Sequence, residues 1–337
     1  NFYLSREFYT NKIKEILEQK ENWGKNEIHK GEKILVEHSS PNLFKPFHIG
    51  HAMNGTIGES IKRLAEFSGA DVVAMSFPSD ISLGVAKAIF IILEKHLEDG
   101  QIYKPHDIVL LGEAYVEGTK RYEEDESIQK RVKEISNNLY SKKDSIELKV
   151  YEACKKFNIE YFEHTTEMLG SKFDSYIYES EAGRVGEKIV NDNTPGIFTR
   201  SEGAVVYVPD ESKKNINTTV FINSEGNPTY GAKDLGLLDL KFSRFDPDLS
   251  IFITDHQQIS HFETVLDVAE KINKKWVEKS VHRTHGRMSF CGAKMSSRLG
   301  GVPLVKEMID EIVGEIKLKR NDLSEEDLNA IAIAAIK

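Results

Sequence analysis

The chain has 337 residues, of which 39% are hydrophobic and 29% are charged, and its formal net charge is −9. This balance is typical of a globular protein, and the apolar run AIFIIL (88–93) is too short to cross a bilayer. The acidic charge argues against a basic nucleic-acid-binding surface over the whole molecule, and two distant cysteines outside any CxxC pair argue against a disulfide framework.

The first third of the sequence alternates between helical and strand-like patterns. Apolar spacing predicts a helix over 5–20, a strand in KILVE before Pro41, a helix over 50–67, a strand over 71–77 and a helix over 83–97. Gly69 is suited to the left-handed cap that often ends a helix. This order of elements is a βαβ unit, which implies parallel strands joined by a right-handed crossover.

The middle of the chain differs, because residues 106–200 are charge-rich and helical without regular alternation of strands. Alternation then returns, with a strand at TTVFIN (218–223), a helix over 231–244, a strand over 249–255, a helix over 258–273, β-like residues over 279–290 and a helix near Pro303. We therefore expect an α/β fold with one doubly wound parallel sheet that is split by a mainly helical insertion.

The segment FKPFHIGHAMNG (44–55) places His48, Gly50 and His51 where a strand passes into a helix. Ligands bind at the carboxyl ends of strands in open α/β sheets, and a helix N-terminus favours an anion. Two imidazoles can donate hydrogen bonds to charge that develops on a phosphoryl group. The sequence has no GxxxxGK[ST], and no GxGxxG follows the first strand, which argues against a P-loop NTPase and against dinucleotide binding.

Two other interpretations of the histidine pair stay open. A zinc site would need a third ligand, which His256 or His261 could supply, although the helical zinc motif spaces its histidines four residues apart rather than three. Alternatively, both histidines are inert core or capping residues.

The loop AKMSSRLGG (293–301) supplies basic side chains for a polyphosphate. Lys294 and Arg298 stand among small hydroxyl residues, and glycines flank the loop on both sides. A basic loop flanked by glycines can close over phosphates and withdraw again. The alternative is an ordinary surface loop.

HIGH at 48–51 and KMSSR at 294–298 resemble the two hallmark motifs of class I aminoacyl-tRNA synthetases. More narrowly, VEHSSPNLFKPFHIGH resembles the arginyl-tRNA synthetases, and YESEAG, GNPTYGAKDLG and TDHQQISHF follow in that family's order. The resemblance implies the catalytic core of a longer protein whose N-terminal and anticodon-binding domains are missing here. It divides the chain into a helical lead-in (1–30), the first half of a Rossmann-like catalytic domain (31–105), a mainly helical insertion (106–215), the second half (216–313) and the start of a helical anticodon-binding region (314–337).

The resemblance further implies that arginine and ATP form arginyl-adenylate, with Mg²⁺ assisting, before arginine passes to the 3′ end of tRNA(Arg). His48 and His51 would stabilise the transition state, and Lys294 would neutralise the departing pyrophosphate. Because Ser297 stands where many class I enzymes have a second lysine, Lys45 would substitute for that lysine. The implied ATP-binding residues are His48, Gly50, His51, Lys294, Met295, Ser296 and Arg298.

Substrate choice would rest on the guanidinium group, because a buried cation needs fixed carboxylates to offset its desolvation. Carried over by motif, Glu179 and Asp234 would bind the guanidinium beside the ring of Tyr230. The residues implied for the α-amino and carboxylate groups are Ser39, Asn42 and Gln258, with Glu37 nearby and His261 as a further match. Without the resemblance, both acids would be interpreted as ordinary solvated side chains.

Two segments depart from the family pattern. SDISLG (79–84) replaces a GDWG- or DIG-type sequence, and Gly231 and Ala232 stand where bulkier residues are usual, so we expect altered kinetics rather than lost activity. The alternative functions are a non-catalytic protein that binds tRNA or arginine, and a metal-dependent hydrolase that uses His48, His51 and His256. We expect a cytoplasmic protein that has no membrane span and no resident metal site.

Overall fold

The computed structural model describes residues 2–95, 103–210, 212–213, 216–286 and 304–337, and the backbone of 289–290 and 293–294. The described helices are α1 (Arg6–Gln19), α2 (Ile49–Phe67), α3 (Leu83–Lys95), α4 (Ile108–Glu124), α5 (Glu126–Tyr140), α6 (Ile146–Met168), α7 (Glu179–Asp192), α8 (Tyr230–Phe245), α9 (Ile259–Ile272), α10 (Lys274–Glu278), α11 (Val305–Lys319) and α12 (Glu325–Ile336). The described strands are β1 (Lys33–Glu37), β2 (Asp71–Ser76), β3 (Ser175–Tyr176), β4 (Phe198–Ser201), β5 (Ala204–Tyr207), β6 (Thr219–Ile222), β7 (Leu249–Asp255), β8 (Ser280–His285), β9 (Ser289–Phe290) and β10 (Ala293–Lys294). None of these helices combines the length and apolarity needed to cross a membrane.

The main sheet has five strands in the order β3-β2-β1-β7-β8, and all of its neighbouring pairs are parallel. From β1 the chain passes through α2 to β2 on one side, and later returns to β7 on the other side of β1. The strand order therefore reverses between β1 and β7, and their carboxyl ends border a crevice where such sheets bind ligands. This confirms the predicted doubly wound fold.

Helices cover both faces of this sheet, and β1 shows why. Because successive side chains of a strand point to opposite faces, Leu35 packs with α7 and α8 residues such as Leu237, whereas Ile34 and Val36 pack against the α2 side with Ala65. The continuous apolar run of β1 is thus the pattern of a strand buried on both faces. The left-handed cap predicted after α2 is also present, since Gly69 has a φ of 91°.

The strand predicted at TTVFIN does form, as β6, but its expected place in the parallel alternation is wrong. It pairs antiparallel with β5 in a separate three-stranded sheet ordered β4-β5-β6. The reason is packing, because Phe221 and Ile222 of β6 join Val205 and Tyr207 of β5 in a hydrophobic cluster against α8 and α9. The strand that follows α8 in the parallel sheet is β7.

The region expected to be a helical insertion contains α4, α5 and α6, as its composition suggested. It also contributes β3 to the edge of the main sheet, with Met75 of β2 beside Ser175 and Ser76 beside Tyr176, and it supplies α7. The chain between 106 and 215 therefore helps to build the central α/β layer, which its helical character did not indicate. The predicted domain boundaries remain a prediction.

Glycines allow α7 and α8 to pack backbone against backbone. A Cβ atom on Gly186 of α7 would overlap the carbonyl oxygen of Ala232, and one on Gly236 of α8 would overlap the carbonyl oxygen of Ala182. This close approach matters for the site described below, because Glu179 begins α7 and Tyr230 begins α8.

The Gly236→Ala substitution is expected to lower the free energy of unfolding by about 1–3 kcal/mol, because the two helices must separate to accommodate the new methyl group. Urea denaturation would measure the loss. Gly314→Ala is the matched control, since Gly314 lies inside α11 and a Cβ atom added there would have no described neighbour within 4 Å; there alanine should be neutral or stabilising. Equal stability of the Gly236 variant and the unchanged protein would show that the two helices do not depend on this close contact.

Candidate active site

A cleft of about 650 Å³ opens where β1 and β7 end, at the reversal of strand order. Its lining contains most of the residues that the sequence singled out, namely Glu37, Ser39, Asn42, His48, Gly50, His51, Glu179, Tyr230, Asp234, Gln258 and His261. These residues come from segments more than two hundred positions apart. The topology therefore brings the histidine motif and the acidic motifs into a single site.

The two histidines occupy the first turn of α2 and hold one another in place. His48 is the N-cap residue, and its Nδ1 accepts the backbone N–H of Gly50 at 3.1 Å. His51 returns the contact, because its Nδ1 accepts the backbone N–H of His48 at 3.3 Å. The rings stack with centroids 3.9 Å apart. The pair therefore caps the N-terminus of α2 and also lines the cleft.

This arrangement determines the proton positions on both rings. Burial and the positive charge of Lys45 lower the pKa of His48, and burial, His48 and Lys45 lower the pKa of His51. Both imidazoles are therefore neutral near pH 7, and since Nδ1 accepts in each, the proton lies on Nε2. The cleft thus has two neutral N–H donors, which suits hydrogen bonding to phosphate oxygens.

Gly50 is needed for the geometry of His48. A Cβ atom at this position would lie 3.1 Å from Cε1 and 3.2 Å from Nδ1 of His48. Such contacts are tighter than ordinary van der Waals separation, so a side chain here would push the His48 ring from the backbone amide that it caps. The glycine of the motif therefore protects the histidine geometry.

Lys45 does not line the cleft. Its Nζ lies 4.1 Å from the centroid of the Tyr115 ring, which places the ammonium group against α4. After burial, its positive charge is a further cause of the lowered pKa of both histidines. Of the basic loop, only the backbone of Ala293 and Lys294 is described, in β10 paired with β9. Met295, Ser296 and Arg298 lie outside the described residues.

Described residues on both sides of 287–303 lie at or next to the cleft. His285 at the end of β8 contributes to its lining, and on the far side Leu304 forms an antiparallel bridge with His48.

Each buried carboxylate of the cleft already has an internal cation. Glu179 is paired with Lys233 at 2.6 Å, and the same ammonium group donates to the Ile81 carbonyl oxygen at 3.0 Å. Burial alone would lower the pKa of Lys233, but the charge and hydrogen bond of Glu179, together with the nearby Tyr140 and Tyr230, outweigh burial and raise it. On the same helix, Lys241 forms a buried ion pair with Glu37. This ion pair therefore holds the Glu37 side chain against α8.

Asp234 is bound to His261, whose Nε2 donates to Oδ2 at 2.5 Å. Burial alone would lower the pKa of His261, but the hydrogen bond and charge of Asp234 outweigh burial and raise it above 6.5. The imidazolium form is therefore favoured beside this carboxylate. Such a pair stabilises the folded protein at pH values below about 6.5, and this contribution is lost as the pH rises through the raised pKa.

Asn54, one turn beyond the histidine pair, connects three strands at the mouth of the cleft. Its Oδ1 accepts the backbone N–H of Ser39 at 2.7 Å, and its Nδ2 donates to the Ile253 carbonyl oxygen at 2.9 Å. Nδ2 also lies 3.1 Å from Nε2 of His285. These contacts hold Ser39 in the left-handed region, with a φ of 52°, a strained conformation that is common at functional sites.

Four residues that hold the site together were not predicted from the sequence: Asn54, Lys233, Lys241 and His285. A signal was present for two of them, because Lys233 and Lys241 are roughly two turns apart on one face of a helix whose buried residues are mostly apolar. A lysine that faces a core usually needs a buried acid as its partner. Nothing in the sequence indicated which acids these would be.

The structure does not support the metal-hydrolase alternative. His256 contacts Asp255 at 3.3 Å and is not among the cleft-lining residues, and both Nδ1 atoms of the histidine pair accept backbone hydrogens. Across the described ranges, no group of three or more His, Cys, Asp and Glu side chains is arranged to hold a metal ion.

Comparison with known proteins gives a consistent result. Residues 12–337 match the family model described as tRNA synthetases class I (R), catalytic domain. The arginine–tRNA ligase of Borreliella burgdorferi is 29% identical over 350 residues, covering 99% of this chain and 59% of that protein. The Clostridium perfringens ligase is 28% identical over 323 residues, covering 94% of this chain and 56% of that protein. The chain thus spans less than two thirds of the length of these relatives.

Solved structures agree at the level of the fold. Arginyl-tRNA synthetase from Plasmodium falciparum superposes with a TM-score of 0.70 at 20% identity, covering 99% of this chain and 57% of that one. The Thermus thermophilus arginyl-tRNA synthetase gives a TM-score of 0.69 at 21% identity, covering 96% of this chain and 60% of that one. Because the family model spans nearly the whole chain, this chain belongs to the family of class I tRNA synthetase (R) catalytic domains.

Proposed function

We propose that this chain binds L-arginine and ATP in the cleft and forms arginyl-adenylate, which the whole protein then uses to charge tRNA(Arg) in the cytoplasm. One observation carries the proposal: a single cleft holds the paired imidazoles of the histidine motif together with the buried carboxylates of Glu179 and Asp234. An enzyme that joins a cationic amino acid to a nucleotide needs both groups within reach of each other.

In the proposed reaction, a carboxylate oxygen of arginine attacks the α-phosphorus of ATP. A new oxygen–phosphorus bond forms, the bond from the α-phosphorus to the bridging oxygen breaks, and pyrophosphate departs with that electron pair. The step needs positioning and charge stabilisation rather than a covalent protein intermediate. The Nε2–H groups of His48 and His51 would donate to the α-phosphate oxygens, and Lys294 would neutralise the pyrophosphate.

Mg²⁺ would supply further charge neutralisation on the phosphates. It commonly binds through substrate phosphates and one or two carboxylates rather than through a cage of protein ligands. Asp255, a partly exposed carboxylate in the lining of the cleft, fits that role. The remaining work of binding and orienting falls to the side chains of the cleft.

The carboxylate pairs define how arginine would be recognised. Asp234 would bind the guanidinium in place of its contact with His261, while Glu179, already paired with Lys233, would share its charge. Ser39, Asn42 and Gln258 would bind the α-amino and carboxylate groups.

A calorimetric titration of the purified protein with L-arginine and with its neutral isostere L-citrulline tests the proposal. Loss of the charge should cost about 3–5 kcal/mol, which corresponds to roughly two to three orders of magnitude in affinity. Equal binding of the two ligands, or binding of neither, would refute the arginine assignment. Aminoacylation of tRNA(Arg) by the full-length protein is the corresponding test of the whole reaction.

Arginine binding is further expected to release a proton. When the guanidinium group binds Asp234, His261 loses the hydrogen bond and ion pair with Asp234 that raise its pKa. The imidazolium therefore gives up its proton. Affinity should therefore increase with pH until His261 is neutral in the free protein. Titrations in two buffers of different ionisation enthalpy would reveal the release as a difference in heat. His261→Gln is the control, since it removes the titrating group; identical heats in both buffers would contradict the exchange.

A further inference from the structure

Asp80 is not among the residues that line the cleft. It is completely buried and forms hydrogen bonds with two helices. Its Oδ1 accepts the backbone N–H of Ser180 at 2.8 Å, and its Oδ2 accepts the Ser180 hydroxyl at 2.7 Å. On the other side, Oδ2 accepts the Tyr151 hydroxyl at 2.8 Å and the Lys155 ammonium at 2.5 Å. One carboxylate thus joins α6 to the first turn of α7.

Ser180 directly follows Glu179, so this contact bears on the proposed arginine site. The backbone N–H of Glu179 donates to the Pro78 carbonyl oxygen at 3.1 Å. The Glu179 carboxylate is held by Lys233, which in turn donates to the Ile81 carbonyl oxygen. Residues 78–81 therefore fix Glu179 through its backbone, its chain neighbour and its side-chain partner.

The α6 side of the contact is also anchored. Lys155 lies 3.6 Å from the centroid of the Tyr178 ring, and Tyr178 is the N-cap residue of α7. Lys155, Tyr151 and Tyr178 line a second cavity of about 510 Å³, together with Ile81 and Ser180. Ser79 lines the active-site cleft and Ile81 lines this second cavity, and both belong to SDISLG (79–84), the segment whose departure from the family pattern led us to expect altered kinetics.

We propose that Asp80 is a positioning residue for arginine recognition: by tying α6 to the first turn of α7, it holds the Glu179 carboxylate at the guanidinium site without touching the substrate. This inference rests on the proposed function, because it takes Glu179 as a ligand of the guanidinium group. Asp80 acts on the charged end of the ligand only, and the ATP part of the cleft is independent of it.

The Asp80→Asn variant tests this role in the purified protein, with calorimetric titration of L-arginine, L-citrulline and ATP. The amide removes the charge that holds Lys155 and replaces an acceptor with a donor. We expect arginine affinity to fall by about ten- to a hundredfold, as for a lost hydrogen bond to a charged group. Citrulline and ATP affinities should stay unchanged, so discrimination between the two amino acids falls. Ser180→Ala leaves the Asp80–Lys155 pair intact and should show a smaller loss of arginine affinity. It replaces Asp80→Asn as the test variant if that protein does not fold.

Asp267 offers a matched control. It is another buried carboxylate that binds a tyrosine and a lysine, Tyr207 and Lys213, but at the sheet of β5 and β6. Asp267→Asn should lower stability and leave the arginine-to-citrulline ratio unchanged. An unchanged ratio in both Asp80→Asn and Ser180→Ala, or an equal loss for all three ligands in each, would overturn the positioning role. If the unchanged protein does not distinguish arginine from citrulline, the proposed function itself fails, and the two failures are thereby distinguished.

Discussion

Replacing Asp234 with asparagine is expected to weaken L-arginine binding by roughly two to three orders of magnitude and to leave L-citrulline binding nearly unchanged. Asp234 is buried in the cleft and forms an ion pair with His261, which can lose its proton when a guanidinium group arrives. Asparagine keeps the shape of the side chain but removes the charge. The guanidinium would then be desolvated without its main counter-charge.

The measurement is a pair of calorimetric titrations, one with each amino acid. Asp239→Asn is the matched control, because Asp239 lies on the same helix, α8, but is not part of the cleft lining; both of its affinities should match those of the unchanged protein. Retention of tight arginine binding by the Asp234 variant would show that the guanidinium is bound elsewhere.

Replacing Lys233 with methionine is expected to lower the free energy of unfolding by about 3–5 kcal/mol, the usual cost of breaking a buried ion pair by removing one partner. The methionine fills a similar volume, so the loss would come from Glu179, which is left buried without its counter-ion. The Ile81 carbonyl oxygen would lose its donor as well. Urea denaturation at neutral pH is the appropriate measurement.

Two further variants separate charge from packing. Lys188→Met is the control on the surface, because the Lys188–Asp192 pair on α7 is exposed and such pairs contribute about 0–1 kcal/mol. The double variant Lys233→Met with Glu179→Leu should recover much of the stability, since an apolar pair of similar volume replaces the ion pair. A single Lys233 variant as stable as the unchanged protein would mean that the pair does not hold α7 to α8.

The pairing of the buried acids in this cleft has a consequence for the proposed chemistry. Glu37, Glu179 and Asp234 each form an ion pair with a side chain of α8 or α9. The negative charge of these three buried carboxylates is therefore already balanced before a ligand binds. Lys233 and Lys241 are buried lysines whose charge is fixed, whereas His261 is an imidazole that can lose its proton. Asp234 is therefore the carboxylate that can exchange its partner for a substrate cation, which is why the largest effect on binding is expected there.

Local patterns in the sequence were sufficient for most of the fold. The helical spacing of residues 50–67 predicted α2, and the short apolar runs predicted β1, β2 and β7, because periodicity follows directly from backbone geometry. The same patterns placed the histidine motif at the end of β1, beside a helix N-terminus. The pattern of β6 predicted a strand correctly, but a strand's own residues do not specify which neighbour it pairs with.

By itself, the sequence determined the elements, the doubly wound class of fold and the motif residues that line the cleft. Only the tertiary structure decided the partners of those residues, such as Lys233 for Glu179, His261 for Asp234 and Asp80 for Ser180. The physical reason is distance along the chain: the first two pairs form where α7, α8 and α9 approach one another, and the third forms where the segment after β2 meets α7. These approaches depend on glycine contacts and core packing. Hydrophobic periodicity reports which face of an element is buried, whereas the identity of a buried charge's partner is a property of the assembled fold.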